Sequence, residues 1–531
     1  MIRDVSTKSF QKYKTRIRGS DQYIMMDKIL AQTTNFLLLV LLTWINPFHE
    51  NTAAQQPQKI EYDADDILYD RDIASGAYRL INNVVFRHKN TTMYCDSAYF
   101  YAAENSLEAF ENVYINQGDS VFIYGDYLHY DGNSRLAKIR KNVRMSSSTT
   151  RLTSQAVDYD LHRNIGYYTS HADIVSGENE LRSRLGYYYS RQDLYLFRDS
   201  VVVENPEYTI YSDTMKYNTL TNIAFFIGPT QIISDSNDIY CESGWYNTET
   251  NISLLKKNAS IENRTQTLTG DSLYYERETG FGEAYSNIEL IDKEQNVVLK
   301  GHYARVNEKT ETALLTDSAL FIYITDNDSV FVHADTLRSE PDSLGKKEFR
   351  LYYKVKLFKS NLQGKCDSMF YSSSDSVLRM FYEPVLWSDE NQLSAEYIEI
   401  WIRNKQVSQL HMQNTAFIIN QEDSTYFNQI KGKKMICFFR DNDLYRINVF
   451  GNGQTIYFAK DKEDIIGVNK AESSDLVIYL ENEKVEEITF INKPSATLYP
   501  LDMIPQQDME LKDFKWQSHI RPIKMEDIFR W

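Results

Sequence analysis

The feature that most narrows what this chain can fold into is a short string that keeps returning, at steps of about 29 to 33 residues. In Gly270-Asp271-Ser272-Leu273-Tyr274-Tyr275 it reads small residue, acid, spacer, apolar residue, spacer, aromatic. The small slot is filled in turn by Ala64, Cys95, Gly125, Ser154, Ser183, Ser212, Cys241, Gly270, Gly301, Ala334, Cys366 and Ala395. The next position is mostly acidic or polar, as at Asp96, Asp126, Glu242, Asp271, Asp367 and Glu396. Three places on come apolar residues such as Ile67, Leu128, Val157, Met215, Leu273 and Ile398. Five places on come aromatics such as Tyr69, Phe100, Tyr130, Tyr159, Tyr217, Tyr246 and Tyr275, and two places before lies another apolar residue, for example Met93, Ile123 or Leu268. A step of this size belongs to solenoids and stacked β architectures.

A second phrase follows some 16 to 19 residues after each small residue: Asn83-Val84, Asn112-Val113, Asn142-Val143, Asn258-Ala259, Asn287-Ile288. Each opens another alternating run, so one period holds two short strands and two turns, with turn chemistry at Asp131-Gly132-Asn133 and Glu278-Thr279-Gly280. Strand side chains alternate between faces. Apolar residues two before, three after and five after the small residue cannot share one face of a regular strand. The expectation is a bend or bulge at the small residue, with the acid bonding turn amides or facing water. With strands about 4.8 Å apart, one rung per period predicts a body on the order of 60 Å long. Period alone leaves open an antiparallel jellyroll folded like a taco and a parallel β-helix.

Composition agrees with a β protein: 39 Tyr and 26 Phe stand against 10 Pro. A formal charge of −16 excludes the basic footprint that a nucleic-acid partner needs. Cys95, Cys241 and Cys366 occupy the small slot, and no CxxC or His-rich spacing accompanies them or Cys437. They read as small core residues, not as a disulfide framework or a metal site.

Near the N-terminus, Phe36–Ile45 is an apolar run too short to span a bilayer as a helix. Lys28 precedes it and Thr52-Ala53-Ala54 follows, the order of a secretory signal, for which Met25 or Met26 would be a suitable start. An uncleaved anchor is the alternative. The expectation is an exported protein.

After Ala395 the pattern loosens. Gly432 with Met435 and Cys437, and Ser474-Asp475 with Val477 and Tyr479, are read as further corners, with Asn492 answering the last. In the stretch Phe349, Leu351, Tyr353, Val355, Leu357, the alternate positions Arg350, Lys354 and Lys356 make a basic outer face, either a solvated edge or a phosphate-contacting patch. The tail from Asp513 to Trp531 reads as a strap or cap, which repeat arrays need at their ends. The expected division is an extension with a signal peptide over 1–54, regular repeats over 55–400, a degenerate continuation over 401–500 and the strap over 501–531.

Gly125-Asp126-Tyr127-Leu128-His129-Tyr130-Asp131 followed by Asn142-Val143, and Gly270 to Tyr275 followed by Asn287-Ile288, resemble the OstA-like family. That family includes the periplasmic lipopolysaccharide-transport bridge LptA and the N-terminal domain of its outer-membrane receptor. The resemblance covers most of residues 60–400, runs more faintly to 500, and is strongest to the long OstA-like proteins of Bacteroidetes-type bacteria. It implies an antiparallel β-jellyroll, open along one side, that shields acyl chains while sugars and phosphates stay in water. The chain is several times longer than a minimal bridge protein. Its last segment lacks the ten-residue alternating strands of an outer-membrane barrel.

The resulting expectation is a non-catalytic periplasmic conduit for lipopolysaccharide or a related lipid, without metal or cofactor. Its candidate lining is Leu128, Tyr130, Val157, Tyr159, Met215, Tyr217, Leu273 and Tyr275, residues that would equally fill a dry core. Expected partners are other jellyroll-type transport proteins, joined end to end by strand pairing, and the outer-membrane assembly machinery. Two rival readings remain: a structural or adhesive surface protein, and a polysaccharide-degrading enzyme on a β-helix. Against the enzyme, the acids recur once per period, and His129, His171, His302 and His333 form no recognisable dyad.

Overall fold

In the computed structural model, the described residues are 59–531, apart from 71–75, 119–120, 148, 325–327, 405, 441–442, 462–463 and 482–483. They belong to one compact unit, Lys59–Trp531. The expected signal peptide lies outside the described residues. Among these there is no α-helix, and the strands form a single 34-stranded sheet in which the strand pairings are antiparallel. The fold is the antiparallel β-jellyroll, and the parallel β-helix is excluded.

The corner explains the odd parity of the repeat. Strand Thr91–Tyr101 buries Thr91, Met93 and Cys95, then skips a beat and buries Ala98 and Phe100. Its partner Ser106–Gln117 buries Leu107 and Ala109, then Val113 and Ile115. Between the two pairs, Glu111 (φ 62°) and Asn112 (φ 51°) take the left-handed conformation, which asparagine tolerates better than most residues. The ladder shifts register there, between Tyr94 and Ser97. Two left-handed residues reverse which face points inward, so both halves of each strand look into one interior. The corner thereby divides the sheet into a first arm, made of the residues that precede the small residue and their ladder partners, and a second arm, made of those that follow it and theirs.

The two arms of the sheet face each other across that interior. His88 Nδ1 lies 2.7 Å from the Tyr130 hydroxyl, although the strands Ala77–His88 and Val121–Asp131 are separated by two others in the ladder. At about 4.8 Å per strand, such a contact requires the sheet to be folded back on itself.

Consecutive strands run in opposite directions, so each period advances two strand spacings. The estimate of one rung per period is corrected accordingly: twelve periods measure on the order of 115 Å along the sheet, about twice the expected length. Three further expectations also change. In the strand Asp464–Glu481 the small inward residue is Ser473, followed by buried Leu476 and Ile478. The assignment to Ser474, Val477 and Tyr479 was one residue late, and Tyr479 points outward. Ile67 and Tyr69 are about half exposed because the strand Asp66–Asp70 is paired on one side only, with Ala77–His88. The basic stretch Lys347–Lys359 is not an edge but is paired on both sides. Lys354 (φ 55°) reverses its phase. Its cations are engaged: Arg350 with Glu340 and Glu348, Lys354 with Asp335, and Lys356 with the carbonyl of Arg530.

Residues 500–531 contain only three short 3-10 turns. They run back over the outer face of the first arm, from the strand Asp464–Glu481 towards Ser329–Pro341, as the contacts of Lys470 with Asp508 and of His333 with Phe529 mark out. A third layer results. It buries Phe417 and Ile419 from outside while their neighbours Ala416 and Ile418 face the interior.

Candidate functional site

The candidate site is the interior between the arms. The aromatic slot of the repeat forms one in-register row along the second arm. Tyr130, Ala137, Tyr159, Gly166, Tyr188, Tyr195, Tyr217, Ala224, Tyr246, Ser253, Tyr275 and Gly282 follow one another strand by strand. A tyrosine on one strand mostly meets a small residue on the next, which makes room for the ring. At Gly166 an added Cβ would sit 3.1 Å from the ring of Tyr159, and at Gly282 one would sit 3.5 Å from Tyr275. The small members of the row recur at the same step as the tyrosines, a signal in the sequence that the motif reading passed over.

All eight predicted lining residues lie in this interior. Leu128, Tyr130, Val157, Tyr159, Met215 and Leu273 are buried, while Tyr217 and Tyr275 are half-buried. The structure separates them into different surroundings. Around Tyr130 and Tyr159 the arms are closed and the interior is filled. Bonds cross the mouth between arm tips: His88 with Tyr130, Arg135 with the Asn90 side chain at 3.3 Å, Gln117 with the Leu161 carbonyl at 3.4 Å, and Thr150 with the Tyr195 hydroxyl. Met215 and Tyr217 line an apolar cavity of about 40 Å3 together with Ile174, Leu181, Phe197 and Tyr208. The last closures before the interior opens are the rings of Tyr208 and Tyr246, near-perpendicular at 6.0 Å, and Arg277 on Glu207 at 2.8 Å.

Beyond them the walls are apolar and half-buried: Ile239, Ile261, Leu268 and Leu299 on the first arm, Tyr246, Tyr275 and Ala304 on the second. The corner residues Cys241, Ala259 and Gly270 remain buried. The cross-section is a V, dry at the vertex and open at the tips. Tyrosine hydroxyls point to the rim, Tyr246 to Asn251 at 2.6 Å and Tyr275 to Glu308 at 3.0 Å. Burial pushes the phenols of Tyr130 and Tyr159 up to about 12. Tyr275 rises to about 12 through desolvation, helped by the neighbouring Glu308 carboxylate. These three phenols therefore stay uncharged throughout the neutral range.

Among the described residues no group of three or more His, Cys, Asp or Glu side chains could hold a metal ion. The four cysteines are free and buried. His333 is packed beneath Phe529 and bonds the Ala319 carbonyl. His129 lies in the strand Val121–Asp131, and His171 stands just before the strand Ala172–Ser176.

The family described as OstA-like protein matches residues 58–213, 209–271 and 233–321. A search of curated proteins returned no match. Among solved structures, the chain is similar to the crystal structure of LptH, described as the LptA homologous periplasmic component of the conserved lipopolysaccharide transport device from Pseudomonas aeruginosa. The similarity has 17% identity and a TM-score of 0.18, and covers 19% of this chain and 76% of LptH, so it bears on neither length nor role.

Proposed function

This chain belongs to the OstA-like protein family, and on that premise we propose that it binds lipopolysaccharide in the periplasm. In this reading the interior shelters acyl chains on their way to the outer membrane and carries out no chemistry. The observation that carries the reading is the V-shaped trough with apolar, tyrosine-bearing, half-buried walls between Ile239 and Leu299, continuous with a closed core on either side.

The physical argument is one of transfer. Each methylene removed from water contributes about 0.8 kcal/mol, so ten sheltered methylenes offset roughly 8 kcal/mol before ordering costs. Neighbouring rungs present similar side chains, so a chain shifted by one rung meets nearly the same surroundings. It slides without falling into one deep well, and the direction of movement comes from an energy source outside this molecule. Other jellyroll proteins and the outer-membrane assembly machinery are the partners such a path requires. The free edge at Asp66–Asp70, where Ile67 and Tyr69 are about half exposed, suits strand pairing with one of them.

Photo-crosslinking in cells tests the reading. A photoreactive residue in place of Tyr217 or Tyr275 is expected to capture lipopolysaccharide, whereas one in place of outward-facing Ser272 is not. Equal capture at Ser272 would remove the support for an interior path.

A further inference from the structure

The interior is not equally accessible along its length, and the difference follows the sequence. At the aromatic slot Tyr130 and Tyr159 are fully buried, Tyr246 and Tyr275 are half-buried, and Val306 is 39% exposed. On the facing arm Ile123, Leu152 and Ile210 are buried, whereas Ile239, Leu268 and Leu299 are half-buried. After Tyr275 the row continues Gly282, Val306, Ala313, Ser339 before the next ring, Phe349. The two strands that should carry a tyrosine carry Val306 and Ser339, so the filler that closes the mouth elsewhere is missing.

We propose that the strands from Asp238–Asn247 to Thr312–Ile324 form a side port, through which the acyl chains of an amphiphilic lipid enter or leave the interior laterally. The section Ala77–Asp160 is closed to that cargo in this conformation. The inference rests on the lipid-binding reading above and specifies where along the chain it applies.

Two observations carry it. First, the closed section is filled: Leu107, Leu128, Tyr130, Ile139 and Tyr159 are fully buried in one cluster, and a guest would displace them at a cost in strain. The cross-mouth bonds of His88, Asn90, Gln117 and Thr150 would have to break as well. Second, the port separates charge in the manner of an amphiphile. Its walls are aliphatic side chains and tyrosines, with the buried thiol of Cys241 at the corner and the Asp292 carboxylate only at the tip of the first arm, where it accepts from Gln266 Nε2 at 2.9 Å. The turns at its rims are charged: Arg264 and Lys293 at the tips of the first arm, Glu249, Glu308 and Lys309 at the tips of the second, all exposed, with Arg277 paired to Glu207 where the port begins. The six strands span about 24 Å along the axis.

The test uses the full chain, with p-benzoylphenylalanine placed singly at Tyr130, Tyr159, Tyr246 and Tyr275, one slot in four settings. Radiolabelled lipopolysaccharide is the probe, and each variant is irradiated with it. In parallel, hydrogen exchange of the unsubstituted chain with and without the same lipid avoids any folding defect caused by the bulky residue at Tyr130. The expected result is about tenfold more adduct at Tyr246 and Tyr275 than at Tyr130 and Tyr159, the ratio that an occupancy difference of about 1.4 kcal/mol gives. New exchange protection is expected within 238–324 and not within 77–160. Comparable adducts at all four positions would overturn the port while leaving a lipid-binding interior intact. No adducts and no protection anywhere would overturn both.

Discussion

Asn112 Nδ2 donates to the Asp96 carboxylate at 2.7 Å, across a corner at which the sheet changes arms. The same pair forms between Asn83 and Asp65, Asn142 and Asp126, Asn258 and Glu242, Asn287 and Asp271, and Asn414 and Glu396. The acid of one phrase and the asparagine of the next are two halves of a single device. The asparagine supplies a left-handed backbone and the acid fixes its side chain. Because the pair is exposed, the bond itself contributes modestly, about 0.5–1.5 kcal/mol. The backbone conformation is the larger requirement.

Asn112→Gly is therefore expected to be close to neutral, since glycine adopts φ near 51° freely. Asn112→Val, with a β-branched residue in the left-handed region, is expected to cost about 1–3 kcal/mol. Hydrogen exchange in the strands Thr91–Tyr101 and Ser106–Gln117 reads the local loss. Equal exchange in the two variants would mean that the corner is not held by backbone conformation.

The small slot makes a second prediction. A Cβ on Gly125 would stand 2.4 Å from Cγ2 of Ile139, and one on Gly432 would stand 2.3 Å from Cγ1 of Val449. Gly125→Ala must shift a fully buried isoleucine and is expected to destabilise by about 1–3 kcal/mol. Ser154→Ala, where a Cβ is already accommodated, is expected to cost less. Urea unfolding of the two variants compares them directly.

The corner was legible in the sequence because it repeats and because burial imposes alternation. Met93, Ala98 and Phe100 announce a phase change that nothing but a bulge can produce. The pairing of Asn112 with Asp96 was hidden: the partners sit 16 residues apart, and period alone does not say which way the next strand runs. The same ambiguity halved the expected length. Ser473 was misplaced by one position because Ser474-Asp475 imitates the small-acid string; only the burial of Leu476 and Ile478 fixes the phase. Of the site, the inward slots were readable. Their opening was not, since the exposure of Tyr275 depends on Val306 two strands away. The missing aromatics at Val306 and Ser339 were the available signal.

Alkaline pH should weaken the fold, and the sign follows from burial. Desolvation raises the thiols of Cys95 and Cys437 to about 12 and of Cys241 to about 11, and the phenols of Tyr130 and Tyr159 to about 12. The unfolded chain releases these protons from about pH 9 for thiols and about 10 for tyrosines. The folded chain keeps them, so it binds more protons and its stability falls as pH climbs from about 9 to about 12. Below pH 9 these groups contribute no slope. A melting temperature that is flat between pH 8 and 11 would contradict the prediction. In the native protein at pH 8 the four thiols are expected to resist a thiol reagent until denaturant is added.

The tail offers the sharpest local test, because three buried glutamines hold it in related ways. Gln429 Nε2 donates to the Met509 carbonyl at 2.9 Å, and its Oε1 accepts from Leu511 N at 2.8 Å. Gln392 does the same for Lys515 O and Gln517 N, both at 2.7 Å. Gln363 Oε1 accepts from Arg521 Nε at 2.7 Å. Each glutamine stands three residues before a small corner residue, Cys366, Ala395 and Gly432, so its side chain points out of the interior and into the tail. Gln392 is fully buried. Gln392→Ala leaves a strap carbonyl and amide without partners at a cost of about 1–3 kcal/mol each. Leu511→Ala, in the core beneath the tail, is expected to cost about 2–5 kcal/mol. Both losses should stay local, since the strands of a stacked array depend on near neighbours. Hydrogen exchange should accelerate in 427–440 and 500–531 and remain unchanged in 77–146. Acceleration throughout the chain would mean that the tail stabilises the whole sheet and not the outer face of one arm.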